Sequence, residues 1–94
     1  MIEKYMNELR QGDSSALEYI YRQTSKSVFS ICYSIMRNYH IAEDMMQDTF
    51  LKVRSNVDAY QKGTNAKAWI NRIAKNICLN ELKRRNIPAK IIQE

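Results

Sequence analysis

Residues 41–56 read IAEDMMQDTFLKVRSN, and their spacing decides the fold class. Ala42, Met45, Met46, Thr49, Phe50 and Val53 recur at three- and four-residue intervals, the period of a helix with one inward face. The opposite side carries Asp44, Gln47, Asp48 and Leu51, spaced i, i+3, i+4, i+7. Glu43, Asp44 and Asp48 could be imagined as metal ligands. The plainer reading of the acidic residues is a solvated helix surface.

The same period extends in both directions. Upstream, Ile2, Tyr5, Met6 and Leu9 form one stripe of a helix over about 2–11, and Gly12 supplies a left-handed stop. Asp13 or Ser14 can cap the next helix, about 14–37, whose stripe is Leu17, Ile20, Tyr21, Thr24, Val28, Ile31, Cys32 and Ile35. Asn38, Tyr39 and His40 make a short break. Downstream, 57–64 is a loop ending at Gly63, with Thr64 or Asn65 as cap. A fourth helix over about 66–85 has Ala66, Trp69, Ile70, Ile73 and Ile77 inside. Pro88 ends it, so residues 1–86 form the domain and 87–94 the start of a linker.

Composition agrees with this pattern. With 94 residues the chain holds one domain and a modest core. Two glycines and one proline are too few turn residues for a sheet-rich fold. The expected class is all-α, a compact bundle of about four helices with short loops and antiparallel neighbours.

Charge is unevenly placed. Residues 1–50 hold five Lys/Arg against seven Asp/Glu, and residues 51–94 hold ten against three, within a total of +5. An acidic half beside a basic half suggests two different partners, one of them a polyanion. Basic charge alone is weak support, since many solvated helix faces are rich in lysine.

Enzyme chemistry finds no motif. The chain has no Gly-rich phosphate loop, no HExxH, no GxSxG and a single histidine, His40. Cys32 and Cys78 lie far apart in sequence without metal-ligand spacing, and read as reduced, buried thiols. No metal, cofactor or catalytic group is expected. No signal peptide or run of about 20 apolar residues is present, so a soluble cytoplasmic protein without membrane insertion is expected.

On the fourth helix, at ~100° per residue, Arg72, Asn76, Leu79 and Lys83 share a stripe flanked by Lys75. Cations at helical spacing can track phosphates, and an asparagine can both donate to and accept from a base edge. The preceding loop adds Tyr60, Gln61, Lys62, Thr64 and Asn65, suited to stacking on and hydrogen-bonding an unstacked base. Trp69 reads as either a pocket wall or a core residue with one exposed edge.

Two motifs carry a resemblance. The run Ala42-Glu43-Asp44-Met45-Met46-Gln47-Asp48-Thr49-Phe50-Leu51-Lys52-Val53 resembles the AEDxxQ[DE]xFxxV signature of sigma-70 family factors of the extracytoplasmic-function (ECF) group. The run from Ala68 to Asn76, AWINRIAKN, resembles that group's AWLxRIAxN helix, and Lys83-Arg84-Arg85 follow. A weaker likeness begins at Gly12-Asp13. The resemblance is to the helical domain called region 2.

It implies a sigma factor domain, not an enzyme, that directs transcription initiation. Asp44, Gln47, Asp48 and Leu51 would dock on the clamp helices of the RNA polymerase β′ subunit. Tyr60, Lys62, Thr64, Asn65, Trp69, Arg72, Lys75, Asn76 and Lys83 would capture the non-template single strand of the −10 promoter element during melting. An anti-sigma factor is a further implied partner, and the alternative role is a helical module held mainly by such a factor. The chain departs from the family at Arg54, Ala66 and Asn71, where bulky aromatic residues are common. The family's second domain, which reads the −35 element, has no counterpart in these residues, so weak promoter binding is expected of the domain alone.

Overall fold

The computed structural model describes residues 2–85. The proline break and the tail over 87–94 lie outside them. The described elements are α1 (Ile2–Arg10), α2 (Ala16–Met36), α3 (Tyr39–Ser55), a one-turn 3₁₀ helix (Val57–Ala59) and α4 (Ala66–Arg84). All regular elements among the described residues are helical, as expected.

Local chemistry sets the boundaries. Gly12 adopts φ +100°, and behind it Asp13 N–H donates to Glu8 O while Gly12 N–H donates to Leu9 O. This paired closure of a helix end needs a left-handed residue, which glycine supplies without a Cβ clash. The Asp13 carboxylate then accepts from both Ser15 N–H and Ser15 Oγ, and α2 begins at Ala16. At the other end of α2, Arg37 takes a left-handed φ of 56° and its N–H donates to Tyr33 O. Asn38 caps α3 through Oδ1, which accepts from Ile41 N–H at 3.0 Å. The break expected over 38–40 is therefore narrower, because Tyr39 and His40 are already helical. Asn65, rather than Thr64, caps α4, accepting from Ala68 N–H at 3.0 Å.

The long central helix α2 packs on each of the other three. Met6 and Leu9 of α1, Ile20, Val28 and Cys32 of α2, Met45, Met46, Phe50 and Val53 of α3, and Ile70 and Cys78 of α4 form one core. Thr24 and Thr49 are buried within it, and their hydroxyls donate to Ile20 O and Met45 O one turn back. These bonds remove the cost of burying a free hydroxyl.

Two expectations about inward faces are corrected. On α4 the fully buried line is Ala66, Ile70, Ala74, Cys78 and Leu82, while Trp69, Ile73 and Ile77 are half-buried at its side. The alanines let α4 approach its neighbours closely, and the larger residues are left at the rim. On α2, Tyr21 is 39% exposed, its ring leaning on Phe50 with centroids 4.9 Å apart. The two cysteines, distant in sequence, are both free and buried, Cys32 on α2 and Cys78 on α4. The neighbouring Cys32 thiol and burial push the Cys78 thiol well above its ordinary value, so it stays protonated.

Candidate nucleic-acid interface

The segment between α3 and α4 wraps around Tyr60, whose side chain is 2% exposed. Its hydroxyl proton is shared between Glu3 Oε1 at 2.6 Å and Thr64 O at 2.8 Å. Burial first, then the Glu3 contact, raises the Tyr60 pKa. The expectation that Tyr60 stacks on a base is corrected on this point, since both its ring and its hydroxyl are occupied inside the protein. It backs the half-buried Trp69, with ring centroids 5.3 Å apart and planes tilted by 55°.

In front of that pair lies an open cleft of about 440 Å³ lined by Ala59, Gln61, Thr64, Asn65, Ala68, Trp69 and Arg72. The sequence points to Gln61, Thr64 and Asn65 as loop contacts to a base, to Trp69 as either wall or core, and to Arg72 as a strand contact rather than a cleft residue. It does not point to Ala59 and Ala68, whose small side chains leave the space open. Asn65 Oδ1 is committed to the helix cap, which leaves its amide N–H groups to donate. The Thr64 hydroxyl donates to Gln61 O at 2.7 Å, so it can only accept from a ligand. The cleft sits at the first turn of α4, where unpaired backbone N–H groups favour negative charge. Its lining holds one guanidinium and no carboxylate. The arrangement suits a planar polar group attached to an anionic backbone.

The remaining cations are distributed along α4. Lys75, Asn76 and Lys83 are exposed, and Lys62 is exposed on the loop. A second, more apolar depression between α2 and α4 shares Ala68 and Arg72 with the cleft and adds Ile31, Ile35, Asn71 and Lys75. The triplet Lys83-Arg84-Arg85 is less available than its sequence suggests. Arg84 and Arg85 both bind the Glu81 carboxylate, at 2.5 and 2.6 Å, and of the three only Lys83 has no ion pair among the described residues.

The positions that depart from the family pattern now have places. Arg54 does not line the cleft; it borders a separate depression with Leu9, Gly12 and Ser14. Ala66 is buried at the start of the α4 core line. Asn71 Oδ1 accepts from Ser27 Oγ at 2.9 Å, tying α4 to α2. On α3, Asp44, Gln47, Asp48 and Leu51 are all exposed, Leu51 by 57%. Neither aspartate has an ion-pair partner among the described residues. No group of three or more metal-ligating side chains occurs among the described residues, and no helix there is long and apolar enough to cross a membrane.

The family model described as Sigma-70 region 2 matches residues 20–87. The chain belongs to this family. Within it the relatives place the region 2 domain in the ECF group. It is 27% identical over 85 residues to the ECF RNA polymerase sigma factor SigW of Bacillus subtilis, covering 90% of this chain and 46% of that protein. Identity to the ECF RNA polymerase sigma factor SigE of Mycolicibacterium smegmatis is 36% over 77 residues, 79% of this chain and 30% of that protein. The RNA polymerase sigma factor CarQ of Myxococcus xanthus is 31% identical over 78 residues, 83% of this chain and 45% of that protein. The region 2 domain thus spans less than half the length of these relatives.

Two contacts to the loop were not foreseen from the sequence. Glu3 accepts from Tyr60 and from Gly63 N–H, and Arg10 donates to the carbonyls of Val57 and Tyr60. They join residues 47 to 60 positions apart, and no periodicity in the sequence reports such pairs.

Proposed function

We propose that the region 2 domain binds RNA polymerase core through the outer face of α3 and captures the non-template strand of the −10 promoter element with the cleft and α4. The single observation that carries the reading is the cleft walled by Trp69 and rimmed by Arg72 and two amide side chains. A flipped base can pack against the exposed part of Trp69 or stack on the Arg72 plane, and Gln61 and Asn65 can hydrogen-bond its edge. Arg72, Lys75 and Lys83 then follow the phosphates, with Asn76 beside them. Tyr60 contributes from behind as the support of Trp69. Lys62 adds positive potential at the loop.

The polymerase contact is supported by what α3 leaves outside. Asp44 and Asp48 present carboxylates with no ion pair among the described residues, Gln47 adds an exposed amide, and Leu51 adds an apolar contact. A partner coil with arginines and lysines at helical spacing would complement them, the β′ clamp helices in this reading. No bond is made or broken; the work is selective binding of an opened strand.

The docking half is tested by Asp48→Lys. The side chain is exposed, so the fold should be unaffected, and affinity for the β′ clamp helices should fall by more than about tenfold, the scale of losing one charge-assisted contact and adding repulsion. Unchanged affinity in a calorimetric titration would remove Asp48 from the interface.

A further inference from the structure

We propose that Glu3 and Arg10 of α1 are positioning residues for strand capture, holding the loop over 57–65 in its binding shape; this rests on the strand-capture reading above. The loop contains a single turn of 3₁₀ helix, and Gly63 within it takes φ +89°. Such a segment has little structure of its own and needs outside contacts to keep one conformation.

Those contacts come from one side of α1. Glu3, Met6 and Arg10 are spaced i, i+3, i+7, and Met6 is fully buried. Arg10 fixes the first half of the loop, with Nη2 donating to Val57 O at 3.4 Å and to Tyr60 O. Its guanidinium also lies 5.9 Å from the centre of the Tyr60 ring. Glu3 fixes the second half, accepting from the Tyr60 hydroxyl at 2.6 Å and from Gly63 N–H at 3.2 Å. The Tyr60 hydroxyl first, then Gly63 N–H, hold the Glu3 carboxyl below its ordinary value, with smaller help from Arg10 and Lys62.

Neither Glu3 nor Arg10 lines the cleft. The loop residues that do, Ala59, Gln61, Thr64 and Asn65, lie between or just after the fixed points. A loop ordered before the strand arrives does not have to be ordered by it, which raises affinity without a new contact. If α1 were general scaffolding instead, its loss would weaken every activity of the domain together.

The test compares the unaltered 94-residue chain with Glu3→Ala and Glu3→Gln. Three quantities are measured: affinity for a single-stranded −10-like oligonucleotide, affinity for the β′ clamp helices, and hydrogen exchange at the Gly63 amide. Glu3→Ala should speed Gly63 exchange and weaken strand binding about tenfold, the low end of the effect of losing one hydrogen bond to a charged group. Binding to the clamp helices should not change. Glu3→Gln should fall between, since its amide oxygen can still accept from Tyr60 while its nitrogen cannot accept from Gly63. It also carries the comparison should Glu3→Ala fail to fold. Unchanged strand affinity in a folded variant, or equal losses for strand and clamp helices, would overturn the positioning role. Absence of strand binding by the unaltered chain would instead overturn the strand-capture reading, and the role with it.

Discussion

Glu81 shows how a single residue decides which charges the domain can offer. Its side chain is 11% exposed, and it receives hydrogen bonds from Arg84 and Arg85. Those guanidinium groups, Arg84 first, lower its pKa from 4.5 to about 2. In the unfolded chain the same carboxyl takes up a proton near its ordinary value. The stability it contributes is therefore fully present above about pH 4.5 and is lost as pH falls toward 2. Urea unfolding of Glu81→Gln should show a flatter dependence on pH across that window than the unaltered chain. A variant curve parallel to the original would mean that the ion pairs do not persist in solution. Both arginines are exposed, so added salt should shrink the difference.

Among the elements, α4 carries the most, because its first turn is both a helix start and a wall of the cleft. Asn65→Ala removes the cap and should cost about 1 kcal/mol. That corresponds to a drop of several degrees in melting temperature for a domain of this size, and a melt unchanged by the substitution would show that water replaces the cap. How far the elements could be read beforehand depended on how local their causes are. Gly12 and Asn65 signalled their helix ends because a stop or a cap acts within a few residues. The start of α3 was placed late, since Asn38 lies beside Tyr39 and His40, which are polar enough to resemble a break. The inward line of α4 is rotated from the expected one because Ala74 and Cys78 carry a weaker apolar signal than Ile73 and Ile77, yet they are the fully buried pair. Tyr60 was misread for a different reason. An aromatic residue in a polar loop looks available for stacking, and only Glu3 and Arg10, dozens of residues away, show that it is held inside. Asp44, Gln47, Asp48 and Leu51 were legible as an exposed face from spacing alone.

At the scale of the whole molecule, the acidic first half and basic second half of the chain become two surfaces of one bundle. The α3 face carries carboxylates with no ion pair among the described residues, and the cleft with α4 carries cations, while α2 packs on both helices. One domain can then hold a protein partner and a nucleic-acid strand together without mutual charge repulsion. Strand binding should weaken as salt rises. If Arg72, Lys75 and Lys83 each meet one phosphate, replacing any one by alanine should reduce the logarithmic salt slope by about 0.7. In the proposed function the cleft takes a base that has left its stack, so a preference for an opened strand is its central consequence. The most direct measurement is a titration, followed by fluorescence of the single tryptophan Trp69, with a −10-like oligonucleotide as single strand and as duplex at one salt concentration. The single strand should bind more tightly, change the Trp69 signal, and lose affinity with Asn76→Ala. Equal binding of the two forms, with Trp69 silent and Asn76→Ala without effect, would contradict strand capture by this surface.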